Sequence, residues 1–547
     1  MNGFEKAISA ISPKWGASRS ALRAKIAQSE MDAERYQTIR AVMTGYSEGG
    51  ASHRSKAFRG NHGVSADPQS DIDANLQTLI SRSRLAYMTY PVATSAVNTT
   101  RTNVIGSGLH LKARLDYDLL HLTSEHAEAW ENKIEREFSL WAESKLCDIY
   151  RLNNFYEMQS LFFMGELMNG DGICLTPMEK PTKFMPYGLR LRLIESDRLC
   201  TPGTELAAYG GRPVYWGRNE KNGNKIYSGV EFNAAGTTVA YWFSSRYPYM
   251  PGQPETDPLT WTRVPAYGEE TGRQNVLHMF EPERAEQRRG VPFLAPVLEE
   301  LSQLTKYQKA ELMAALVSAL FTAFVTTGGS TSTLPIGEAV DGEDPGTLAV
   351  AAGGKGDDEY RLGNGAIVTL APGENVEFAD PKRPNTAFEA FVSATCQGIG
   401  AALEIPNELL LKKFSASFSA SRGALLEAWK MFRMRRERMV SQFCQPVYEL
   451  FLTEAVAAGR IHAPEFFNDP IIRKAWCAAD WNGPAAGMLD PLKEVQAAEK
   501  RVANGFASRE EETRGLTGGD FKRNAIQLKN ENRLLVDAQA VPDVKGV

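Results

Sequence analysis

The sequence predicts a mainly helical α+β protein on three observations. Apolar residues recur at spacings of three and four over long stretches near both ends of the chain, as the buried face of a helix demands. Between Gly172 and Phe280 that rhythm gives way to short alternating runs, ICLTPM, LRLRLIES, GVEFN, TTVAYWF and VLHMF, divided by turn residues, the texture of a sheet. Residues 328–360 then hold eight glycines, seven acids and one lysine, a composition break between two helical stretches.

The elements follow in order. Residues 1–75 are polar and read as a helix over 4–43 followed by a Gly/Ser/basic arm. From Asp71 to Val104, Leu76, Leu79, Ile80, Leu85, Val92, Ala96 and Val97 keep helical spacing around a break at Pro91, and Gly106 and Gly108 stop it. A helix from Ser124 to Trp141 places Trp130, Ile134, Phe138 and Trp141 on one face, and another runs from Phe155 to Met168 before Gly170. After the sheet-rich part, Pro292 to Phe324 returns to helix. Its apolar half, Leu312 to Thr327, spans 16 uncharged residues, short of the roughly 20 of a membrane span, and reads as a buried helix. AIVTL and VEFAD read as strands flanking the Gly/acid-rich segment. A helix over 386–403 follows, then EIPNELLLKKFSASFSAS interrupts with Pro406 and four serines. Arg422 to Ala458 reads as one long helix, and helical pattern resumes to about Leu535.

At 547 residues the chain suits roughly three or four domains of about 150 residues. With 61 Lys and Arg against 66 Asp and Glu, the net charge of −5 excludes a protein that coats DNA over its whole surface, so any DNA contact must be local. Six cysteines stand singly, which argues against a disulfide framework or a structural zinc site and fits a reducing cytoplasm. The first residues carry Glu5 and no apolar h-region, so no signal peptide is expected.

The search for catalytic chemistry is negative. There is no GxxxxGK(S/T) phosphate cradle, so energy for any DNA movement comes from another molecule, and no GxSxG elbow. Gly106-Ser-Gly108 and Gly353-Gly-Lys-Gly356 lack the third glycine of a dinucleotide loop. His121 and His126 are five apart, not the four that one metal on a helix face needs. No catalytic residue, metal ligand or cofactor is expected.

Basic patterning remains. Lys412 and Lys413 lie in the Ser-rich interruption, where two ammonium groups could meet a phosphate backbone; a solvated helix end is the plainer alternative. Lys430, Arg433, Arg435, Arg436 and Arg438 crowd one helix. Because 3.6 residues per turn spread the run around the axis, it divides between DNA or solvent and acidic partners, against the alternative of a salt-bridged solvated face.

Several blocks, taken in order, resemble the phage portal proteins of the lambda-like family. They are SRSRLAYMTYPVATSAVNTTRTNVIGSGL, Trp141 with Cys147-Asp148 and Phe155, IYSGVEFNAAGTTVAYWF, RVPA (263–266), and VLHMFEPERAEQRRGVPFLAPVLEEL (276–301). TLAPGENVEF (369–378), GIGAALEIPNELL (398–410), FSASRGALLEAW (418–429) and the Trp476, Trp481, Asp490-Pro-Leu-Lys493 tail complete the series over about residues 75–535. The chain departs from the family at Met88-Thr89, where an Asn-Asn pair is common, and in the acidic Gly-rich excursion.

The resemblance implies a portal fold assembling as a ring, typically of twelve subunits, around a DNA channel at one vertex of a tailed-phage head. It implies an N-terminal helix and arm (1–75), a wing (76–290), stem helix 1 (291–326), a clip (327–383) and stem helix 2 (384–404). A channel loop (405–420), a long wing helix with the following segment (421–483), a crown (484–535) and a tail (536–547) complete the chain. Lys412, Lys413, Ser415 and Ser417 would then line the channel. Arg422, Lys430, Arg433, Arg435, Arg436 and Arg438 would meet DNA or a neighbouring subunit. Glu338, Asp341, Glu343, Asp344, Asp357, Asp358 and Glu359 would make the clip a docking surface whose acidity lets DNA slide.

Implied partners are double-stranded DNA without sequence preference, the terminase large subunit, major capsid and scaffold proteins, and head-completion or tail connector proteins, with no membrane. The implied place is the virion, after assembly in the host cytoplasm, and the implied role is structural, including nucleation of procapsid assembly. Two other classes compete: a metal-dependent nuclease, which needs clustered acids beneath a groove, and a scaffold or adaptor that encloses no DNA.

Overall fold

The computed structural model describes residues 18, 21–31, 66–203, 215–248, 259–320, 324–327, 374–377, 388–414, 417–487 and 490–539. The chain divides into two units, Met1–Asp67 and Pro68–Val547. In the first, residues 21–31 are helical, inside the expected helix over 4–43; the rest of that helix and the Gly/Ser arm up to residue 65 lie outside the described residues.

The second unit opens with α1 (Pro68–Thr89) and α2 (Pro91–Val104). Pro91 stands in the first turn of α2, where its missing N–H leaves no bond unmade, and its ring ends the helix before it. α1 begins ahead of residue 75, inside the segment read as an arm, because Gln69, Ile72 and Asp73 are buried against the rest of the unit. A short strand β1 (His110–Ala113) precedes α3 (Ser124–Ala142), which Thr123 caps by accepting from the His126 N–H. α4 (Phe155–Asn169) starts with a reciprocal capping box between Asn154 and Glu157 and stops at left-handed Gly170.

Sheet structure follows over residues 171–280, in part where the alternating runs lie. β2 (Asp171–Leu175), β3 (Arg192–Leu193) and β9 (Val276–Phe280) form one antiparallel sheet in the order β3-β2-β9. β4 (Trp216–Arg218), β5 (Lys225–Tyr227), β6 (Val230–Phe232), β7 (Thr238–Ser244) and β8 (Trp261–Pro265) form a second in chain order, all antiparallel. Glu231 is the polar centre of that second sheet. Its buried carboxylate accepts from Arg263 (Nε at 2.8 Å), Asn222, Asn224 and the Trp242 indole. Burial pushes this carboxyl up, but Arg263 and the amides outweigh it and hold it down at about 2.

α5 (Leu298–Leu320), β10 (Phe324–Thr327), β11 (Glu374–Glu377) and α6 (Phe388–Ala402) come next. The stretch from Leu312 to Thr327, expected as one buried helix, divides instead. The helix stops at Leu320, and Phe324–Thr327, rich in β-branched residues, pairs antiparallel with β11. Of its described side chains, Leu312, Met313 and Leu316 are each at least 50% exposed, while Tyr307, nearer the start of α5, packs against Phe388 and Phe391 of α6. β11 overlaps the start of VEFAD; AIVTL lies outside the described residues.

α7 (Asn407–Leu411) and α8 (Phe418–Met439) lead through a π-turn at Val440–Cys444 into α9 (Gln445–Ala457), the long helix expected over 422–458. Pro446, in the first turn of α9, has no N–H to close the α ladder behind it, and the backbone widens just before it. α10 (Pro470–Trp476), β12 (Ala479–Asn482), α11 (Pro491–Ala503), α12 (Arg509–Thr517) and α13 (Phe521–Gln539) end the chain. β12 pairs antiparallel with β1, tying the two ends of the unit together. The main core gathers where α3, α4 and α9 meet: Phe138 lies edge-on to Phe155, Tyr448 and Phe451, and Phe443 of the π-turn stacks on Phe162 at 4.1 Å. All six cysteines are buried and none forms a disulfide.

One buried pair joins α4 and β2 to both sheets. Asp171 accepts from Arg289 Nε at 2.7 Å, from His278 Nε2 at 2.9 Å and from the Gly290 N–H at 2.8 Å. Arg289, 2% exposed, also donates to the Leu199 and Ser228 carbonyls and to Ser196. Beside it the backbones of Gly170 and Gly290 touch: a Cβ on Gly290 would sit 1.9 Å from the Gly170 carbonyl oxygen. Burial alone would push the Asp171 carboxyl up; Arg289, His278 and the Gly290 N–H outweigh it and bring it to about 2.

This region is testable at three positions. Gly290→Ala should destabilise the chain by about 1–3 kcal/mol, since backbone must move to admit the methyl; urea unfolding measures it, and an unchanged midpoint refutes the close contact. Arg289→Met should cost about 3–5 kcal/mol at pH 7 by stranding a buried carboxylate. Because the folded Asp171 pKa lies below the unfolded one, the wild-type contribution is full above about pH 4 and is lost as pH falls towards 2, about 2 kcal/mol in all. Unfolding curves at pH 7, 4 and 3 should show that acid limb flattened in Asp171→Asn.

Candidate nucleic-acid interface

The Ser-rich interruption is built on α2. Pro406 starts α7, Leu410 is buried, and the Ser95 hydroxyl donates to the Leu410 carbonyl at 2.7 Å. Lys412 ends α7 in the left-handed conformation, φ 55°, which is uncommon for a residue with a Cβ, and its ammonium reaches Thr99 Oγ1 at 3.0 Å. Lys413 lies next to it, exposed, its Nζ 2.8 Å from Glu389 of α6, and that hydrogen bond raises its pKa further, so it is a cation at any physiological pH. An exposed pair of this kind is weak and exchanges readily for a phosphate. Ser417 accepts from the Ala420 N–H and so caps α8; Ser415 lies outside the described residues.

The basic run of α8 divides by its surroundings. Arg435 and Arg438 turn inward to two acids of the same chain. Arg438 bonds Glu281 at 2.5 Å, Arg435 lies 3.2 Å from the other oxygen of that carboxylate, and both stand within 4 Å of Glu166 on α4. Glu166 is buried, which pushes its carboxyl up to about 7 against the pull of the two arginines. Arg435 also lies over the Phe293 ring at 4.8 Å. Arg436 donates to the Asn103 and Val104 carbonyls at the end of α2 and to Pro484, a cation at a helix C-terminus. Burial, with Arg433 nearby, brings its pKa down to about 10.

The remaining members face outward. Lys430 is exposed and pairs with Glu427 at 2.6 Å, Arg433 is exposed, and Arg422 lies 3.7 Å from Glu494. Arg422, Arg433 and Trp429 line an open groove of about 480 Å³ between α8 and α11–α12, opposite Glu494 and Glu512. The acids Glu338, Asp341, Glu343, Asp344, Asp357, Asp358 and Glu359 all lie outside the described residues. His126 is taken up in the cap of α3, with Nδ1 3.0 Å from Thr123 Oγ1. Among the described residues no group of three or more His, Cys, Asp or Glu is placed to hold a metal, and no helix is long and apolar enough to cross a membrane.

Sequence reasoning missed Asp171, His278, Arg289, Glu166 and Glu281 as charge partners. A signal existed for one of them: Arg289-Gly290 stands directly before the apolar VPFLAPV, an unusual place for a solvated arginine. Nothing in spacing marks Glu166, which stands in the apolar stretch from Leu161 to Met168, as the acid that two arginines of α8 approach.

A family model described as phage portal protein, lambda family, matches residues 54–436. Portal protein B of Escherichia phage lambda is 23% identical over 450 residues, covering 80% of each chain. The portal protein of Escherichia phage N15 is 24% identical over 451 residues, covering 80% of this chain and 81% of that one. A solved structure titled as the neck of a native GTA particle computed with C12 symmetry covers 80% of this chain and 93% of its own, at 14% identity and a TM-score of 0.40. With the family match running from before α1 into the arginine run of α8, the chain belongs to the lambda family of phage portal proteins.

Proposed function

We propose that this chain assembles as a ring of twelve copies at the unique vertex of a tailed-phage head, and that the ring is the channel for DNA packaging and ejection. Its role is that of a conduit and not of an enzyme: it docks the terminase large subunit during packaging and the head-completion or tail connector proteins afterwards, and nucleates the procapsid with capsid and scaffold proteins. Residues 76–290 are the wing, 291–326 and 384–404 the stem, 327–383 the clip, 405–420 the channel loop and 484–535 the crown.

The observation that carries this reading is the α5–α6 pair. Leu312, Met313 and Leu316 on one helix and Phe391 on the other are each at least 50% exposed in a single chain. Apolar surface of that extent on two packed helices marks a contact surface, and cyclic packing of copies is the arrangement that would cover it without leaving an end. Lys412 and Lys413, held beside each other by α2 and α6, repeat around such a ring as cations that touch phosphates weakly and carry no base readout.

Two outcomes test the proposal. Native mass spectrometry and negative-stain images down the particle axis should show closed rings; a monomer under assembly-permissive conditions, or magnesium-dependent cleavage of DNA by the purified protein, refutes it. Lys412→Ala combined with Lys413→Ala should leave rings intact while lowering packaged or retained DNA. Unchanged DNA content removes the two lysines from the mechanism.

A further inference from the structure

The chain that carries Lys412 and Lys413 leaves the body from a built root. α6 ends in a turn where the Ile405 N–H donates to the Gly400 carbonyl at 2.9 Å, and a Cβ on Gly400 would lie 2.5 Å from the Ile405 carbonyl oxygen, so the two segments touch. Leu403 and Ile405 are 2% exposed and Leu410 is 1% exposed, which seats the chain on both sides of Pro406. The residues that bracket α7 are left-handed although each has a Cβ: Glu404 has φ 57° and Lys412 has φ 55°. Backbone of this kind persists where surrounding contacts over-determine it, and it gathers at sites that need one fixed geometry.

Those contacts come from α2. Ser95 and Thr99 stand four residues apart, one turn along the same side of that helix. Ser95 donates at 2.7 Å to the Leu410 carbonyl, one of the last in α7, which the helix itself leaves without a donor. Thr99, 3% exposed, accepts from the Lys412 ammonium at 3.0 Å. An ammonium has three donors, and Lys412 is exposed, so two remain for a phosphate. Lys413, the next residue, is tied the other way, to Glu389 of α6. A lysine on its flexible four-carbon stem loses rotamer freedom whenever it binds. Two hydroxyls that fix the direction in which the chain leaves α7, and one rotamer of Lys412, reduce that loss before any phosphate arrives.

We infer that Ser95 and Thr99 are positioning residues for DNA contact: touching no DNA themselves, they hold the end of α7 and the Lys412 ammonium so that Lys412 and Lys413 meet phosphates from one fixed root. The inference rests on the channel reading of the two lysines and deepens it by naming the uncharged side chains on which they depend. A hydroxyl that only stabilised the fold would change stability and leave unaltered the number of phosphates neutralised, which the salt dependence of binding reports.

The test uses assembled rings of the full chain, a linear DNA duplex as the probe and salt concentration as the variable. Lys412→Ala combined with Lys413→Ala sets the scale: the slope of log affinity against log salt should flatten by about 1 or more. Thr99→Val, which keeps the shape of the side chain and removes the acceptor, should flatten that slope by about half as much although no charge is lost. Thr99→Ser, which keeps the acceptor, should restore the wild-type slope, and Ser95→Ala should flatten it as Thr99→Val does. Thr99→Val rings with the wild-type slope, beside a flattened slope in the lysine pair, overturn the positioning role and leave the channel reading standing. A Thr99→Ser slope as flat as that of Thr99→Val overturns it as well, since the acceptor is then not what matters. If Thr99→Val forms no rings, Ser95→Ala is read in its place, and its wild-type slope overturns the inference. A wild-type slope in the lysine pair itself overturns the channel reading of both lysines, and the positioning role with it.

Discussion

The architecture depends on the buried contact between Asp171 and Arg289. Asp171 begins β2 directly after α4, and Arg289 lies on the chain that returns from β9 towards α5, so one ion pair closes the sheet-rich excursion back onto the helical body. Burying two charges is unfavourable unless both are fully bonded. Here each is: the carboxylate has a guanidinium, an imidazole and a backbone N–H, and the guanidinium reaches carbonyls on two further loops. Such a contact accepts one arrangement of its neighbours and rejects small displacements, which is how a polar group in a core fixes register where apolar packing tolerates sliding.

The same logic separates the arginines of α8 by task. Arg435 and Arg438 hold α8 against α4 and the end of β9 through Glu166 and Glu281, and Arg436 closes the C-terminus of α2. These groups orient the long helix. Arg422, Lys430 and Arg433, on the outer sides of the same helix, are the members that a phosphate or a neighbouring subunit can reach. A single run of cations therefore meets two environments, because 3.6 residues per turn carries adjacent positions to opposite sides of the helix.

Much of the fold was legible in the sequence. α3 and α4 start and stop where Thr123, Asn154 and Gly170 say they should, and the buried face of Ile134, Phe138 and Trp141 follows from spacing alone. β2, β3, β6, β7 and β9 overlap the alternating runs, whereas β4, β5, β8 and the β1–β12 pair lie outside them. The apolar stretch after Leu312 was harder, since periodicity reports that a face must be covered and not by which molecule. In one chain Leu312, Met313 and Leu316 face outward, and Phe324–Thr327 leaves the helix for a strand, a choice made by pairing with residues fifty positions away.

Of the candidate residues, Lys412 and Lys413 were visible as a pair of cations in a small-residue loop, yet their anchoring to Thr99 and Glu389 joins positions that sequence distance conceals. What the sequence by itself determined is local: helix limits through caps and glycines, strand against helix through periodicity, net charge, and the family through collinear blocks. Only the tertiary structure decided which arginines are buried, that Asp171 finds Arg289, and that the side chains of α13 from residue 522 to residue 536 stand exposed. Local propensity acts between near neighbours in the chain, whereas ion pairing, desolvation and exposure depend on what the folded chain brings within a few ångströms.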